Sequence, residues 1–444
     1  MGGEETLEID DYCQLIVCLK RLGGTKHGLQ GFTPCQVGGS LLPPFFIAII
    51  GINTHLIRKY KEDVMKTFHL YAATASGIEA IAGRELRELG YETQVENGRV
   101  RFDGTIKDIL RANLWLRTAD RVRIIVAEFD AVTFDELFEA TKAVAWDELL
   151  PMDAAFPVEG RSKKSQLHSV PDAQAIVKKA VATKLAAVYH RRTRMPETGA
   201  LYPLEVMIDK DHVMLTLDTT GSSLFKRGYR VGKGGAPLKE NMAAALIALT
   251  SWHKDMPFWD PVCGSGTIPI EAALIGRNLA PGFNRDFTCE KWDWVPQELS
   301  DEVRDEADAL ADYDTPLQIF GSDIDEKMVA IAKRNAQEAG LSQDVTFSQL
   351  AVQDFKTELK HGVIVANPPY GERLSDQASV RELYKQMGQV FKPLTDWSKY
   401  ILTADLEFEH FYGQKATKTR KLYNGALRTD YFQFWAQRQP RHNR

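Results

Sequence analysis

The sequence predicts an α/β domain of Rossmann-like type, with a sheet of about seven strands, preceded by a smaller α+β module. The first observation is a short apolar strand that leads into a glycine turn and then a helix, at residues 256–275. The second is that apolar segments at residues 317–325 and 362–367 also end in polar side chains. The third is that residues 66–150 alternate short strands and helices, which is typical of an α+β domain. Together they place a doubly wound parallel sheet in the second half of the chain.

Composition narrows the class of protein. The chain has 444 residues, of which 44% are hydrophobic and 26% charged, as in ordinary globular proteins. Its net charge of −5 means that nucleic-acid binding would need a local basic surface. The five cysteines show neither a disulfide framework nor metal-ligand spacing, which favours a reducing cytoplasm and no metal. The longest apolar run, residues 41–52, contains two prolines and is too short to span a bilayer, so no membrane association is expected.

Changes in composition and in hydrophobic periodicity along the chain predict four regions. Residues 1–64 are rich in glycine and aperiodic, and they are interpreted as a poorly packed leader extension, with a small accessory module as the alternative. Met65 is then the expected natural start. An α+β domain of ferredoxin-like type covers residues 65–150, and a second module covers 151–232. Closely spaced glycines around residue 233 indicate a connector, so the last domain is predicted at 233–444.

Positive charge is concentrated in the second module. Between residues 161 and 194 the only acidic residue is Asp172. Arg161, Lys163 and Lys164 are predicted to lie in a loop. Lys178 and Lys179 are predicted to lie on a helix that covers about residues 172–190. A basic stripe of this kind neutralises phosphates and releases their counterions, although an ordinary solvated helix face has the same appearance. The candidate phosphate-binding residues are Arg161, Lys163, Lys164, Lys178, Lys179, Arg191 and Arg192.

The glycine turn, residues 260–267, predicts a site for a nucleotide-like ligand, because glycine lets the backbone approach the ligand and the helix N-terminus faces it. Asp323, at the end of the next predicted strand, is the candidate for binding ribose hydroxyls. Asp325 is the rival for that role, or else a helix cap. Asp354 could hold the amino group of an adenine, or be a plain loop residue. The long insertion at 277–314 does not fit a nicotinamide-binding fingerprint.

A second motif, Asn367-Pro368-Pro369-Tyr370, follows a fully apolar strand. The prolines lack N–H groups and stiffen the backbone, which leaves carbonyls free to accept hydrogen bonds. The carboxamide of Asn367 and the carbonyl of Pro368 could therefore accept both hydrogens of an exocyclic amine. Tyr370 offers a flat face for stacking against a base. The motif thus predicts catalysis at an aromatic amino group.

In combination these motifs resemble the class I S-adenosylmethionine (SAM)-dependent amino-methyltransferases. Residues 163–169, Lys-Lys-Ser-Gln-Leu-His-Ser, resemble a THUMP RNA-binding domain, which adds Ser165 to the RNA-binding candidates. Residues 224–230 and 236–240 resemble the junction of the RlmL family, the 23S rRNA guanine-N2 methyltransferases. The resemblance implies cofactor contacts from Asp260, Cys263, Gly264, Ser265, Gly266, Thr267, Asp323, Ile324, Asp354 and Asn367.

The resemblance also implies a substrate, the exocyclic N2 of a guanine in 23S rRNA or in a precursor of the large ribosomal subunit. Some family members carry a second methyltransferase domain, for which this chain is expected to be too short. Two alternatives stay open. One is a DNA adenine-N6 methyltransferase, because Asn-Pro-Pro-Tyr serves adenine amines as well. The other is a non-catalytic RNA-binding factor that retains the fold.

Overall fold

The computed structural model describes residues 65–231, 238–370, 374–425 and 427–437. The predicted leader at 1–64 and the connector glycines at 232, 234 and 235 lie outside the described residues. Two seven-stranded sheets organise the described part of the chain. No helix within it is long and apolar enough to cross a membrane.

The first sheet is shared by the two predicted N-terminal modules. Its elements are β1 (Phe68–Thr74), α1 (Glu79–Glu88), β2 (Gln94–Glu96), β3 (Arg99–Gly104), α2 (Ile106–Trp115), β4 (Ala119–Asp130), α3 (Phe134–Ala143), β5 (Val158–Lys163), α4 (Val170–Val188), β6 (Leu204–Asp209) and β7 (His212–Asp218). The strand order is β2-β3-β1-β4-β7-β6-β5. The twelve-residue strand β4 pairs with both β1 and β7, with Ile124 opposite Leu70 on one side and Leu217 on the other. One hydrophobic core therefore spans both modules.

Local signals explain where the helices of this half begin. The Thr133 side chain accepts a hydrogen bond from the N–H of Glu136, whose carboxylate accepts one from the Thr133 N–H, so a capping box starts α3. Helix α4 begins with Pro171 in its first turn, where proline removes no helical hydrogen bond.

The prediction that Arg161 and Lys163 lie in a loop is wrong. Both belong to β5, which pairs in parallel with β6 so that Arg161 lies opposite Met207 and Lys163 opposite Asp209. The sequence Val-Glu-Gly-Arg-Ser-Lys lacks an apolar alternation because β5 is the edge strand and most of its side chains are partly or fully exposed. Its strand conformation comes from pairing with β6 rather than from local propensity.

The second sheet confirms the Rossmann-like seven-stranded prediction. Its elements are α5 (Glu240–Ala248), β8 (Phe258–Asp260), α6 (Thr267–Gly276), α7 (Gln297–Ala309), β9 (Ile319–Asp323), α8 (Glu326–Glu338), β10 (Val345–Gln349), β11 (Val363–Ala366), α9 (Leu374–Phe391), β12 (Ser398–Thr403), α10 (Phe408–Tyr412), β13 (Lys418–Asn424) and β14 (Leu427–Phe434). The order is β10-β9-β8-β11-β12-β14-β13, with β8 to β12 parallel and β14 antiparallel to both neighbours. The carboxyl ends of β8, β9, β10 and β11 therefore share one edge.

The insertion at 277–314 joins the two halves of the protein. The indole of Trp292 stacks on Tyr202 at a centroid distance of 5.0 Å and donates a hydrogen bond to the Leu201 carbonyl at 2.8 Å. Trp294 donates to the Leu149 carbonyl at 3.0 Å. Because these contacts bury large aromatic surfaces against the N-terminal half of the protein, the insertion stabilises the placement of one domain on the other.

Candidate active site

The glycine turn after β8 has a geometry that only glycine accommodates. Gly264 and Gly266 have φ values of +52° and +82°, in the left-handed region. A Cβ at Gly266 would also lie 2.9 Å from atoms of Ala332 and Phe347. The turn therefore brings bare backbone to the N-terminus of α6, at the shared edge of the sheet.

The two acidic residues after β9 have different roles. The Asp325 carboxylate accepts a hydrogen bond from the Lys327 N–H at 2.8 Å and caps α8, so the interpretation of Asp325 as a helix cap is confirmed. The Asp323 carboxylate accepts one from the Gly264 N–H at 2.9 Å, which places it directly beside the glycine turn. Between them Ile324 is 71% exposed, an apolar side chain at the same edge. The structure thus brings Asp323, Ile324 and the turn together.

Asp260 and Cys263 lie at the base of this turn. Asp260 is 1% exposed and accepts a hydrogen bond from the Val262 N–H at 3.1 Å. Burial raises the pKa of its carboxyl well above the usual range, and the nearby charge of Asp323 adds to this effect. Burial likewise raises the pKa of the Cys263 thiol. A thiol held in its neutral form is a poor nucleophile, so the site does not favour a covalent intermediate on Cys263.

The hydroxyl groups of Ser265 and Thr267 bind a residue that the sequence analysis missed, Arg230. Its guanidinium donates to Ser265 Oγ at 3.1 Å, to Thr267 Oγ1 at 2.9 Å and to Glu240 Oε1 at 2.7 Å. Asn335, also missed, donates to the Ser265 carbonyl at 2.9 Å. Arg230 follows the basic segment before the connector, and that position was its sequence signal. These contacts fix the conformation of the glycine turn.

A buried ion pair anchors the same segment to α6. The guanidinium of Arg227 lies 3.4 Å from the carboxylate of Glu271, which is 0% exposed. Tyr229 donates its hydroxyl hydrogen to Glu271 at 3.1 Å. Arg227 also donates to the carbonyl of Arg117 in the first half of the protein. The segment before the connector thus ties the N-terminal half to the helix that starts at the glycine turn.

The Asn-Pro-Pro-Tyr motif lies directly after β11, a strand whose four residues are all buried. The Tyr370 hydroxyl donates to Asn367 Oδ1 at 2.5 Å, which orients the carboxamide oxygen. Pro368 is buried, whereas Pro369 is exposed and its carbonyl accepts a hydrogen bond from Tyr384 at 3.4 Å. Residues 367–370 form a corner at the end of β11. Since β11 pairs directly with β8, this corner lies beside the glycine turn. Asp354 is exposed in a 3₁₀ turn after β10, at the same edge.

The candidate RNA-binding residues do not form one compact patch. Lys163 and Lys164 are exposed at the end of β5, whereas Arg192 is exposed beyond the other end of α4. The nineteen residues of α4 separate the two groups by about 28 Å. Lys179 is exposed on the helix between them. These exposed cations therefore form an extended basic stripe along α4, which consists of Lys163, Lys164, Lys179 and Arg192.

The other candidates are engaged in intramolecular contacts. Lys178 donates to Glu197 and to the Phe156 carbonyl. Arg161 contacts Glu205, Arg191 donates to Thr193, and Ser165 closes the turn after β5 by accepting from the Asp211 N–H. Among the described residues, no group of three or more His, Cys, Asp or Glu side chains is arranged to hold a metal ion.

Comparison with known proteins places the chain in a family. Three family models match: an RlmL ferredoxin-like domain at residues 69–123, a THUMP domain at 131–218, and an RMKL-like methyltransferase domain at 227–433. A relative from Bacillus subtilis (strain 168), named "Putative RNA methyltransferase YpsC", is 55% identical over 377 residues, 85% of this chain and 98% of the relative. The chain belongs to the RlmL family of THUMP-containing methyltransferases. The predicted family is thereby confirmed, and the SAH-bound relative described next confirms the predicted cofactor, SAM.

Solved structures of similar proteins share the RlmL-family fold over most of the chain. One, described as "a predicted N6-adenine-specific DNA methylase" from Listeria monocytogenes, is 59% identical with a TM-score of 0.82, and covers 85% of this chain and 98% of that one. Another, described as "SMU.472, a putative methyltransferase complexed with SAH", is 53% identical with a TM-score of 0.81, and covers 84% and 100%. A "Ribosomal RNA large subunit methyltransferase K/L" from Syntrophotalea carbinolica is 34% identical over 376 residues, and the chain spans 52% of its length. These names disagree on the substrate of RlmL-family proteins.

Proposed function

We propose that the protein transfers a methyl group from SAM to the exocyclic N2 amine of a guanine in 23S rRNA or in a precursor of the large ribosomal subunit. One observation carries the proposal. The Asn367–Tyr370 corner lies at the sheet edge beside the glycine turn and Asp323, on a chain that also carries a THUMP domain with an exposed basic stripe. SAM supplies an electrophilic methyl group on its sulfonium. The protein's own residues then position the amine that receives it.

The corner activates the amine by accepting its hydrogens. An exocyclic amine is a poor nucleophile because its lone pair is conjugated with the ring. Asn367 Oδ1 keeps a free lone pair after accepting the Tyr370 hydroxyl hydrogen, and the Pro368 carbonyl provides the second acceptor. Binding both hydrogens draws the lone pair out of conjugation and aims it at the methyl group. Catalysis is then mainly a matter of position, for which a stiff proline corner is suited.

The residues around the turn are proposed to hold the cofactor. Asp260, Cys263, Gly264 and Gly266 lie against its methionine end. Ser265 and Thr267 act through the shape of the turn, since their hydroxyls bind Arg230. Asp323 accepts hydrogen bonds from the ribose, Ile324 contacts the adenine ring and Asp354 holds the adenine amino group.

Replacing Asp323 with alanine is expected to raise the Kd for SAM about 10- to 100-fold, because a hydrogen bond to a charged group contributes about 1.5–3 kcal/mol. Isothermal titration calorimetry with SAM measures this. Asp325→Asn is the matched control, since asparagine also caps helices and the change should leave the Kd within about twofold. Equal weakening by both substitutions would contradict the assignment of the ribose to Asp323.

The exposed stripe along α4 is proposed to bind RNA phosphates. A double variant, Lys163→Gln with Lys179→Gln, should weaken RNA binding and flatten the dependence of log K on log salt by about 0.7–0.9 for each phosphate that the variant no longer neutralises. Filter binding of a 23S rRNA transcript at several salt concentrations measures the slope. Arg87→Gln removes an exposed cation from α1 and serves as control. An unchanged slope in the double variant would place the RNA elsewhere.

A DNA adenine-N6 methyltransferase is the second candidate, favoured by the motif itself and by the description of the Listeria structure. Mass analysis of nucleosides separates the two functions. Deleting the gene should remove one N2-methylguanosine from 23S rRNA, and the wild-type gene, but not an Asn367→Ala copy, should restore it. Loss of N6-methyladenine from DNA with intact rRNA methylation would overturn the proposal.

A further inference from the structure

A small open pocket of about 210 Å³ lies next to the Asn-Pro-Pro-Tyr corner. It is lined by Tyr370 from the end of β11 and by Asp405 and Leu406 from the end of β12. These two strands are parallel neighbours, with Ala366 opposite Ile401, so residues 370 and 405 leave the sheet at the same level. The volume is below the roughly 300–1,000 Å³ of pockets that enclose drug-sized ligands, which suits a single base.

The pocket combines stacking surfaces with one fixed carboxylate. Leu406 is 69% exposed, and Tyr370 offers its ring. Asp405 is held in place because one of its oxygens accepts a hydrogen bond from the Glu407 N–H at 2.9 Å. Its other oxygen lies 3.6 Å from the Nε of Arg381 and has lone pairs left for a ligand. The side chain is only 17% exposed, so a hydrogen bond made there is shielded from bulk water.

Arg381 is fixed in turn. Its guanidinium lies over the ring of Phe411 at 4.5 Å from the centroid and forms an ion pair with Glu407. The carboxylate of Asp405, held in position beside this cation, can only accept hydrogen bonds. The pocket therefore presents the free carboxylate oxygen of Asp405 as an acceptor next to the corner that binds the amine.

We propose that Asp405, oriented by Arg381, selects guanine over adenine by accepting a hydrogen bond from the ring nitrogen next to the target amine. The inference rests on the proposed function and names what its base-binding site recognises. In guanine the N2 amine is flanked by N1–H, a donor. In adenine the N6 amine is flanked by N1 with a lone pair, an acceptor. An ionised carboxylate binds the first and repels the second, whereas the Asn-Pro-Pro-Tyr motif treats both amines alike.

A site whose buried polar groups are complementary to one substrate discriminates strongly against analogues of that substrate. A site that hydrogen-bonds a substrate group rejects analogues lacking it by about 10⁴–10⁵. Asparagine in place of Asp405 has nearly the same shape, but it offers a donor that can turn towards adenine N1. The Asp405→Asn variant should therefore lose guanine methylation and gain in relative preference for adenine.

The test uses the full-length protein, SAM and an unmodified 23S rRNA transcript, followed by nuclease digestion and mass spectrometry of the nucleosides. The Asp405→Asn variant should form N2-methylguanosine about 100-fold more slowly than wild type, with a higher ratio of N6-methyladenosine to N2-methylguanosine. Its Kd for SAM should stay within about twofold, which shows that the variant is folded. Glu382→Gln, an exposed neighbour of Arg381 on α9, should match wild type.

The outcomes separate this inference from the function on which it rests. Wild-type protein that forms only N6-methyladenosine would defeat the proposed function. Wild-type protein that forms N2-methylguanosine, together with an Asp405→Asn variant of equal rate and unchanged base ratio, would overturn the role of Asp405 alone. If Asp405→Asn fails to bind SAM, the variant Asp405→Glu, which keeps the acceptor, is compared with Asp405→Gln. Equal rates for those two would also overturn it.

Discussion

Replacing Asn367 with alanine is expected to lower kcat about 10²–10³-fold, the range found when one positioned hydrogen-bonding group is removed from a reacting centre. The reason is local. Without Oδ1, one amine hydrogen loses its acceptor, so the lone pair stays in conjugation with the ring. The Tyr370 hydroxyl also loses its acceptor and no longer orients the corner. Single-turnover methylation of a 23S rRNA transcript measures the effect.

Binding of the cofactor should survive this change. The carboxylate proposed to hold the ribose is Asp323, on a different strand, and its contact with Gly264 does not involve Asn367. We therefore expect the Kd for SAM to change less than about threefold. Gln337→Ala, which removes an exposed amide on α8, controls for nonspecific effects. Near-normal turnover in Asn367→Ala would contradict the role of the corner in activating the amine.

The largest effect on stability is expected from Glu271→Ala. This substitution leaves the guanidinium of Arg227 buried without its countercharge, which costs about 3–5 kcal/mol of folding free energy. It also removes the acceptor of the Tyr229 hydroxyl. Because Glu271 lies in the helix that follows the glycine turn, the affinity for SAM should fall together with the thermal unfolding temperature.

Two variants sharpen that prediction. Glu382→Ala removes an exposed carboxylate and should change stability by less than about 0.5 kcal/mol. Removing both charges, with Arg227→Met and Glu271→Met, should recover much of the loss, because a buried ion pair is often replaceable by apolar side chains of similar volume. A cost of under about 1 kcal/mol for Glu271→Ala alone would show that the ion pair does not hold the two halves together.

Local chemistry accounts for what the sequence predicted. The turn around Gly266 requires a positive φ and leaves no space for a Cβ, so its glycines stand out in the sequence. The strand before Asn367 is buried on both faces and is apolar throughout. Asp325 caps a helix, as aspartate does elsewhere. In each case the local backbone conformation or its burial determines the residue type. The candidate residues around the glycine turn could therefore be predicted from the sequence.

Long-range contacts account for what the sequence did not predict. β5 is a strand because β6 lies beside it, and nothing within 158–163 indicates this. Lys178 has the same local appearance as Lys179, yet its partner Glu197 lies outside the helix. Arg230 donates a hydrogen bond to Ser265 in the glycine turn, 35 residues further along the chain. Such pairings depend on the folded topology, and a pattern within one segment cannot reveal them.

The proximity of the methyl donor to the proline corner is the central claim, and a crystal structure with S-adenosylhomocysteine tests it most directly. We expect the ribose to lie against Asp323 and the sulfur to face the corner. A nitrogen bound to Asn367 Oδ1 and the Pro368 carbonyl would then lie within reach of a transferred methyl, about 3–3.5 Å between reacting atoms. A ligand bound at this sheet edge with its sulfur turned away from Asn367, or bound elsewhere on the protein, would contradict the account.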